Sequence, residues 1–172
     1  MCELTTGYNR GNCASVGGVD TLYIYNLENR DSFTRTGNEV TALSMLSTKQ
    51  AFALVVDKES SSFTQTQTRS RENNSVYYEV SGQFMLKDDE NTTTDFLELI
   101  GGGFFGVIAK TASGKYFHYG IENGLTVETS EITTGQSYED LNGATINLTG
   151  KEKTIAPYLD GAIADAILVP AP

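Results

Sequence analysis

The sequence predicts a mainly β protein, an antiparallel β-sandwich or barrel with one short α-helix packed on it. Thr, Gly, Tyr, Val and Phe are prominent, whereas the chain has only three Pro and no Trp, a mixture that favours strands and tight turns. Short apolar runs alternate with turn residues, as in sandwiches and small barrels. One segment has helical spacing instead, and it stops at three consecutive glycines, Gly101 to Gly103.

Length and charge narrow the classes of function. A chain of 172 residues usually forms one domain with a proper core. Its formal charge of −10 repels nucleic-acid phosphates, which argues against DNA or RNA binding but suits a conduit through which DNA passes without adhering. We see no secretory signal and no apolar run of membrane-spanning length, so we expect cytoplasmic synthesis and no membrane insertion.

We divide the single domain, residues 1–172, into four segments. Residues 1–18 are rich in Gly and Asn and are predicted to be an irregular N-terminal arm, or one that orders only against a neighbour. Residues 63–84 are predicted to form a long polar β-hairpin. Residues 92–152 are the helix-plus-strand core, and residues 156–172 are a C-terminal arm that is either a short helix or extended.

The first strand is predicted at residues 19–27, between paired glycines and a polar turn. Leu22 and Ile24 face one way along this strand, while Tyr23 and Tyr25 face the other. Because both faces are apolar, we expect the strand to be covered on two sides. Further strands are predicted at residues 40–45, 51–57, 104–110, 115–119, 125–131 and 144–150.

The helix is predicted at residues 95–100, with Thr93 or Thr94 as the N-cap. Its apolar residues share one face, and a helix under three turns must lie on a sheet to be stable. We expect Gly101 to Gly103 to end it by adopting the left-handed conformation of a C-cap. Beyond them, Asn123-Gly124 and Asn142-Gly143 predict hairpin-type turns.

The polar hairpin is the strongest candidate for a functional element. Threonines at 64, 66 and 68 alternate with glutamines at 65 and 67, so both faces of its first strand are polar and its register is weakly specified. An isolated two-stranded ribbon is only marginally stable in water. Three roles are therefore open: its edges pair with another subunit, one of its faces lines a wet channel, or it is an exposed hairpin without a partner. The candidate oligomer-interface residues are Phe63, Gln65, Gln67, Arg69, Arg71, Glu72, Tyr77, Tyr78 and Phe84.

The tip of the hairpin, near residues 72–74, carries Arg69 and Arg71 on an otherwise acidic chain. A basic tip can dock on an acidic surface of an identical copy, and such head-to-tail contacts generate rings or stacks. Simple solvation of the two arginines is the alternative.

No pattern predicts catalysis, a metal or a cofactor. The glycines from Gly101 follow a helix and precede a strand, the reverse of a phosphate-binding loop. His118 is the only histidine and lies in an aromatic strand, which favours a structural role over a hydrolytic triad. Cys2 and Cys13 are too few ligands for a zinc site, and we expect them to be reduced thiols, with a disulfide as the alternative. The acidic run at 88–90 lacks the spacing of a calcium loop.

The order of elements resembles the tail-tube fold of tailed phages: a glycine-rich leader, a strand, a long polar hairpin, a short helix ending in glycine, and strands with Asn-Gly turns. The runs at residues 12–26 and 114–120, with Glu122-Asn-Gly-Leu, are similar to small virion proteins of phages infecting Bacteroidetes hosts. That group includes ring proteins in the tail barrel of crAss-like phages. The two cysteines of the leader depart from general tube features.

This resemblance implies a structural protein of the virion, made in the host cytoplasm. Tube-fold subunits form homo-oligomeric rings whose strands join into one inner β-barrel, and the long hairpin and the termini contact neighbours. The implied partners are copies of the chain itself and other tail or connector proteins, while DNA passes through the lumen without specific binding. The resemblance implies no catalytic residues and no cofactor.

Two other functions remain open at this stage. One is a carbohydrate- or ligand-binding β-sandwich, a monomer that uses the aromatic residues of 115–119 as its platform. The other is an enzyme that uses His118.

Overall fold

The computed structural model describes residues 17–56, 60–87, 91–137 and 140–168. Within these ranges the chain forms two α-helices, α1 (Asn91–Ile100) and α2 (Gly161–Ala166), and a 3-10 turn at Leu27–Asn29. The strands are β1 (Val19–Asn26), β2 (Arg30–Thr36), β3 (Glu39–Met45), β4 (Phe52–Val55), β5 (Ser62–Ser70), β6 (Ser75–Lys87), β7 (Phe105–Thr111), β8 (Tyr116–Tyr119), β9 (Thr126–Thr133), β10 (Gly143–Glu152) and β11 (Tyr158–Leu159).

These strands form two sheets, which confirms the predicted β-sandwich; the described residues contain no closed barrel. The larger sheet has the order β2-β3-β11-β8-β7-β1-β4, and the smaller has the order β5-β6-β10-β9. Neighbouring strands are antiparallel except for β11 and β3, which are parallel. Among the described strands, the edges are therefore β2 and β4 on one sheet, and β5 and β9 on the other.

The core between the two sheets, which we call the first core, explains why the sandwich forms. Leu22 and Ile24 of β1 lie in it beside Val107 of β7. The smaller sheet contributes Val80, Phe84, Ile146 and Leu148, and α1 contributes Leu97 and Ile100. Helix α1 is thus held by its apolar face, as predicted, because removing that face from water stabilises a helix too short to persist alone.

A second core lies on the opposite face of the larger sheet. Tyr23 and Tyr25 of β1 contribute to it, together with Val40, Leu43 and Met45 of β3. Both faces of β1 are therefore covered, and this prediction is confirmed.

The C-terminal segment belongs to this second core. Strand β11 pairs with β3 and with β8, Ala164 and Ile167 are buried in the second core, and Ala51 donates a backbone hydrogen bond to Ile167 at 2.8 Å. Residues 156–168 are therefore an integral part of the subunit and do not project as an arm. The predicted N-terminal arm lies outside the described residues, apart from Gly17 and Gly18.

Strand β2 was not predicted, because its first residues have the composition of a turn. Its pairing with β3 over Arg30 to Thr36 makes it a strand, and the Arg30 side chain donates a hydrogen bond to the carbonyl of Ile121. Tertiary pairing here overrides local propensity.

The predicted ends of α1 are partly wrong. The helix begins at Asn91, so Thr93 and Thr94 lie inside it and neither is the N-cap. It does end at Ile100, but none of Gly101 to Gly103 has a positive φ. The low helix propensity of consecutive glycines is enough to stop the helix without a left-handed cap.

Asn123-Gly124 does not close a hairpin. Gly124 has φ +79°, as a tight turn requires, but β8 before it pairs with β7 and β11, whereas β9 after it pairs with β10. The turn instead carries the chain from one sheet to the other, where Leu125 bridges Phe105. Packing on the first core, rather than the turn itself, selects the partner of β9.

Candidate assembly interface

The predicted hairpin forms from β5 and β6, with its turn at residues 71–74. Strand β10 supports β6 from Lys87 only as far as Tyr78, which lies opposite Glu152 at the end of β10. Strands β5 and β6 remain paired with each other up to Ser70 and Ser75. Residues 68–77, which we call the overhang, therefore extend beyond the rest of the smaller sheet as a two-stranded ribbon.

The overhang presents basic and apolar side chains together. Arg69 lies opposite Val76 in the register, so both side chains are on one face, and both are exposed, Val76 at 45%. Arg71 and Glu72 are exposed in the turn. Gln67, just before the overhang, is exposed as well. The predicted interface positions 67, 69, 71 and 72 are therefore accessible to a partner.

The two predicted tyrosines sit at the base of the overhang and are half-buried. The Lys151 ammonium lies 5.1 Å from the centroid of the Tyr77 ring and 3.4 Å from a Glu79 carboxylate oxygen. An exposed pair of this kind adds little stability, but it covers one face of Tyr77. Tyr77 and Tyr78 are thus only partly available for an interface.

Phe84 is a correction. Its side chain is completely buried in the first core, so the prediction that Phe84 contacts another subunit is wrong. Phe84 lies on the same face of β6 as the buried Val80 and Gly82, whereas Ser81 and Gln83 on the other face are exposed.

Phe63 and Gln65 attach the base of the hairpin to its own subunit. The Phe63 ring stacks on Tyr119, with centroids 5.0 Å apart, and it covers Gly82, its cross-strand neighbour, where any Cβ would overlap the ring. Gln65 accepts a 2.8 Å hydrogen bond from the Ala156 amide and donates one of 3.3 Å to the Thr154 carbonyl. Both side chains therefore make their contacts within their own subunit.

A second surface, which sequence reasoning missed, lies between β4 and α1. A cavity of about 400 Å³ opens there; we call it the groove. Phe52 and Leu54 of β4 line one side, Phe96 and Leu99 of α1 line the other, and Phe105 lies between them. Phe52 is 57% exposed and Leu99 is 80% exposed, so a large apolar surface faces solvent beside a free sheet edge.

The exposed face of α1 next to Leu99 is acidic, and we call it the rim of the groove, although its two carboxylates do not line the groove itself. Asp95, Glu98 and Leu99 are all exposed, and their spacing places them on one helix face. In the sequence, only Leu99 points to this rim, because it is an apolar residue that lies outside the predicted apolar face of the helix.

His118 lies in the interior of the subunit, away from both surfaces. Its side chain is completely buried, and Nε2 is 2.9 Å from the Tyr25 hydroxyl. Burial, helped by the Arg30 cation, lowers the pKa of His118 from 6.5 to about 3, so its ring is neutral at physiological pH. Burial likewise raises the pKa of Tyr25 to about 12. This arrangement agrees with the predicted structural role of His118.

Glu152 is a buried acidic side chain near the turn at Asn123-Gly124. Its carboxylate accepts hydrogen bonds from the backbone amides of Glu122, at 3.2 Å, and Asn123, at 3.0 Å. Burial raises the pKa of Glu152, while the two amides oppose that shift. The carboxylate therefore holds the turn at Asn123-Gly124 against the end of β10.

The aromatic platform of the carbohydrate-binding alternative is partly covered within the subunit. Tyr119 is stacked under Phe63, and the Phe117 ring lies 4.7 Å from that of Tyr158. Lys110 lies over Tyr116, 5.8 Å from its centroid. Because of these contacts, the rings do not form one continuous aromatic face that a carbohydrate could stack on.

Two further observations concern the part of the chain that the structure describes. Nowhere in it do three His, Cys, Asp or Glu side chains come together in a group able to hold a metal ion. Neither of its α-helices is long and apolar enough to span a membrane.

Comparisons of the chain with protein-family models, with curated proteins and with solved structures gave no match.

Proposed function

We propose that the chain is a non-enzymatic structural subunit that assembles with copies of itself into a ring. The tail-tube resemblance of its sequence suggests the setting, a phage tail or head-tail connector in which the ring surrounds the channel for DNA. The geometry of the subunit supports the assembly part of this proposal independently of that resemblance.

The overhang is the observation that carries the proposal. Its ten residues contribute no side chain to either core, and a two-stranded ribbon without further packing is marginal in water. Docking on a partner would bury its exposed face and satisfy its free edges. A subunit that must assemble has a use for such an element, whereas a monomer does not.

The free edges of the sheets support the same function. In the part of the chain that the structure describes, β5 and β9 bound the smaller sheet on opposite sides, and β2 and β4 bound the larger. Unpaired edges invite association unless they are covered or blocked. Pairing between subunits would cover these edges in a closed assembly and limit uncontrolled growth.

The charge of the chain suits the proposed channel. With 22 acidic and 12 basic residues, the subunit offers few sites at which DNA could release counterions and bind tightly. A ring of such subunits would let DNA slide through its lumen.

The test is the state of the purified full chain. Negative-stain electron microscopy and native mass spectrometry should show closed rings with a uniform number of subunits. Copies should also be found in virions of the phage that encodes the gene. A monodisperse monomer at the highest soluble concentration, absent from virions, would overturn the proposal.

A further inference from the structure

We propose that the overhang of one copy docks in the groove of the next copy, so that the subunits join head to tail. This inference rests on the proposed function and names the two surfaces that make its interface. The occupant of the groove is thus a second copy of this chain, with residues 68–77 as the inserted element.

Charge complementarity favours this pairing. The overhang carries two exposed arginines, Arg69 and Arg71, and one exposed acid, Glu72, so it is net basic. The groove rim carries Asp95 and Glu98, both exposed on the same face of α1. In a chain with a net charge of −10, most pairs of surfaces repel each other. A basic ribbon meeting an acidic rim avoids that repulsion and selects one register of docking.

The apolar side chains match as well. Val76 shares a face with Arg69, and Leu99 stands beside Asp95 and Glu98 on the rim. The inserted ribbon would place Val76 against the exposed Leu99 and Phe52, removing all three from water. The interface would then have an apolar centre with charged groups around it, as stable interfaces do.

The backbone of β4 supplies a further contact. It is an edge strand whose outer side has no strand partner within the described residues, and its Val55 is 84% exposed. An extended segment can add to such an edge through main-chain hydrogen bonds. The overhang is already extended, so it loses little conformational freedom when it docks.

The length of β6 separates the overhang from the start of α1 within one subunit, which argues against docking inside the same copy. Helix α1 begins four residues after β6 ends, and the turn at 71–74 lies at the other end of β6. A strand of 13 residues spans about 40 Å at about 3.3 Å per residue. The overhang and the start of α1 therefore follow opposite ends of β6. Each copy offers one overhang and one groove, so the contact propagates from copy to copy.

Cysteine cross-linking tests the contact directly. In the full chain with Cys2→Ser and Cys13→Ser, we would introduce Val76→Cys and Leu99→Cys together and oxidise the assembled protein. We expect a ladder of covalent oligomers on a non-reducing denaturing gel, because the two thiols can meet only between copies. The matched control replaces Val76→Cys by Ile132→Cys, an exposed position on β9, and should stay monomeric on the gel.

A charge exchange tests the pairing of the two surfaces. One variant carries Arg69→Glu and Arg71→Glu, and the other carries Asp95→Lys and Glu98→Lys. Each alone should lose assembly in native mass spectrometry while keeping the circular dichroism of the wild type. Mixed together they should assemble again with alternating subunits, because every junction then joins opposite charges.

The outcomes separate this inference from the proposed function. Rings of the wild type that persist in both charge variants, or that give no cross-link between 76 and 99, would overturn the inference and leave the proposed function standing. A ladder from the Ile132→Cys control equal to that of the test variant would also overturn it. A wild type that is monomeric under all conditions would overturn both.

Discussion

At the scale of single residues, Gln65 and Gln67 show how position decides role. They are two residues apart in the same polar strand, and the sequence predicts the same interface role for both. In the structure, Gln65 makes hydrogen bonds to the backbone of Thr154 and Ala156, whereas Gln67 is exposed. The difference arises because the chain after β10 passes Gln65 and not Gln67, which no local pattern encodes.

We predict that Gln65→Ala destabilises the subunit and that Gln67→Ala does not. Loss of the Gln65 side chain leaves the buried Ala156 amide without its acceptor, which costs about 1–3 kcal/mol. An exposed substitution such as Gln67→Ala stays within about 0.5 kcal/mol. Urea unfolding of both variants measures this, and equal stabilities would contradict the assigned contacts.

His118 predicts a dependence of stability on pH. Its pKa is lowered from 6.5 to about 3 by burial and by Arg30, so the unfolded chain binds the proton first as the pH falls. The contribution of the neutral ring to stability is therefore complete above about pH 6.5 and is lost as the pH falls toward about 3. Within that window the slope approaches about 1.4 kcal/mol per pH unit.

The variant His118→Gln isolates this effect, because it removes the titration while keeping a group that can bond the Tyr25 hydroxyl. The free energy of unfolding should fall less steeply with decreasing pH in the variant than in the wild type. The carboxylates, Glu152 included, titrate in both proteins and so largely cancel in the comparison. If the free energy of unfolding, measured with urea, depends on pH in the same way for both proteins, then the pKa of His118 is not lowered by folding.

At the scale of elements, the hairpin combines a part that builds the subunit with a part that does not. Its base is fixed by Phe63, Gln65 and Phe84, whereas residues 69–76 are exposed except for the half-buried Ser70. We predict that replacing residues 69–76 by Asn-Gly changes the free energy of unfolding by no more than about 1 kcal/mol. The same variant should not form rings, because its overhang is gone.

Urea unfolding and native mass spectrometry of this shortened chain measure the two effects separately. Substitution of the eight residues by an equal length of Gly and Ser is the matched control for loop length, and it should also fail to assemble. Rings formed by either variant as efficiently as by the wild type would show that the overhang is not part of the interface.

The secondary-structure elements also show which local sequence patterns are sufficient to predict them. Periodicity correctly predicts β1, β7 and α1, because each has a long apolar face that must be buried. It fails for β2, whose strand conformation depends on pairing with β3. It also fails for the turn at Asn123-Gly124, because a turn fixes local direction but does not choose the partner of the next strand.

At the scale of the whole molecule, the structure has two cores on the two faces of one sheet. The alternation of Leu22 and Ile24 with Tyr23 and Tyr25 predicts that β1 is covered on both sides. It cannot predict that the C-terminal segment supplies part of the second cover through Ala164 and Ile167, since that contact joins residues more than a hundred positions apart. Long-range packing of this kind is absent from any local window.

The sequence by itself determines the mainly β class, the presence and turn of the polar hairpin, the end of α1 at Ile100 and the acidic net charge of the chain. These features follow from the periodicity of apolar side chains and the positions of glycines, which act locally, and from the net charge, which is a sum over the chain. Only the tertiary structure decided that Phe84 is buried, that residues 68–77 project past β10, and that an apolar groove with an acidic rim lies between β4 and α1. Each of those depends on which strands pair and where the pairing ends, and pairing is set by the burial of surfaces brought together from distant parts of the chain.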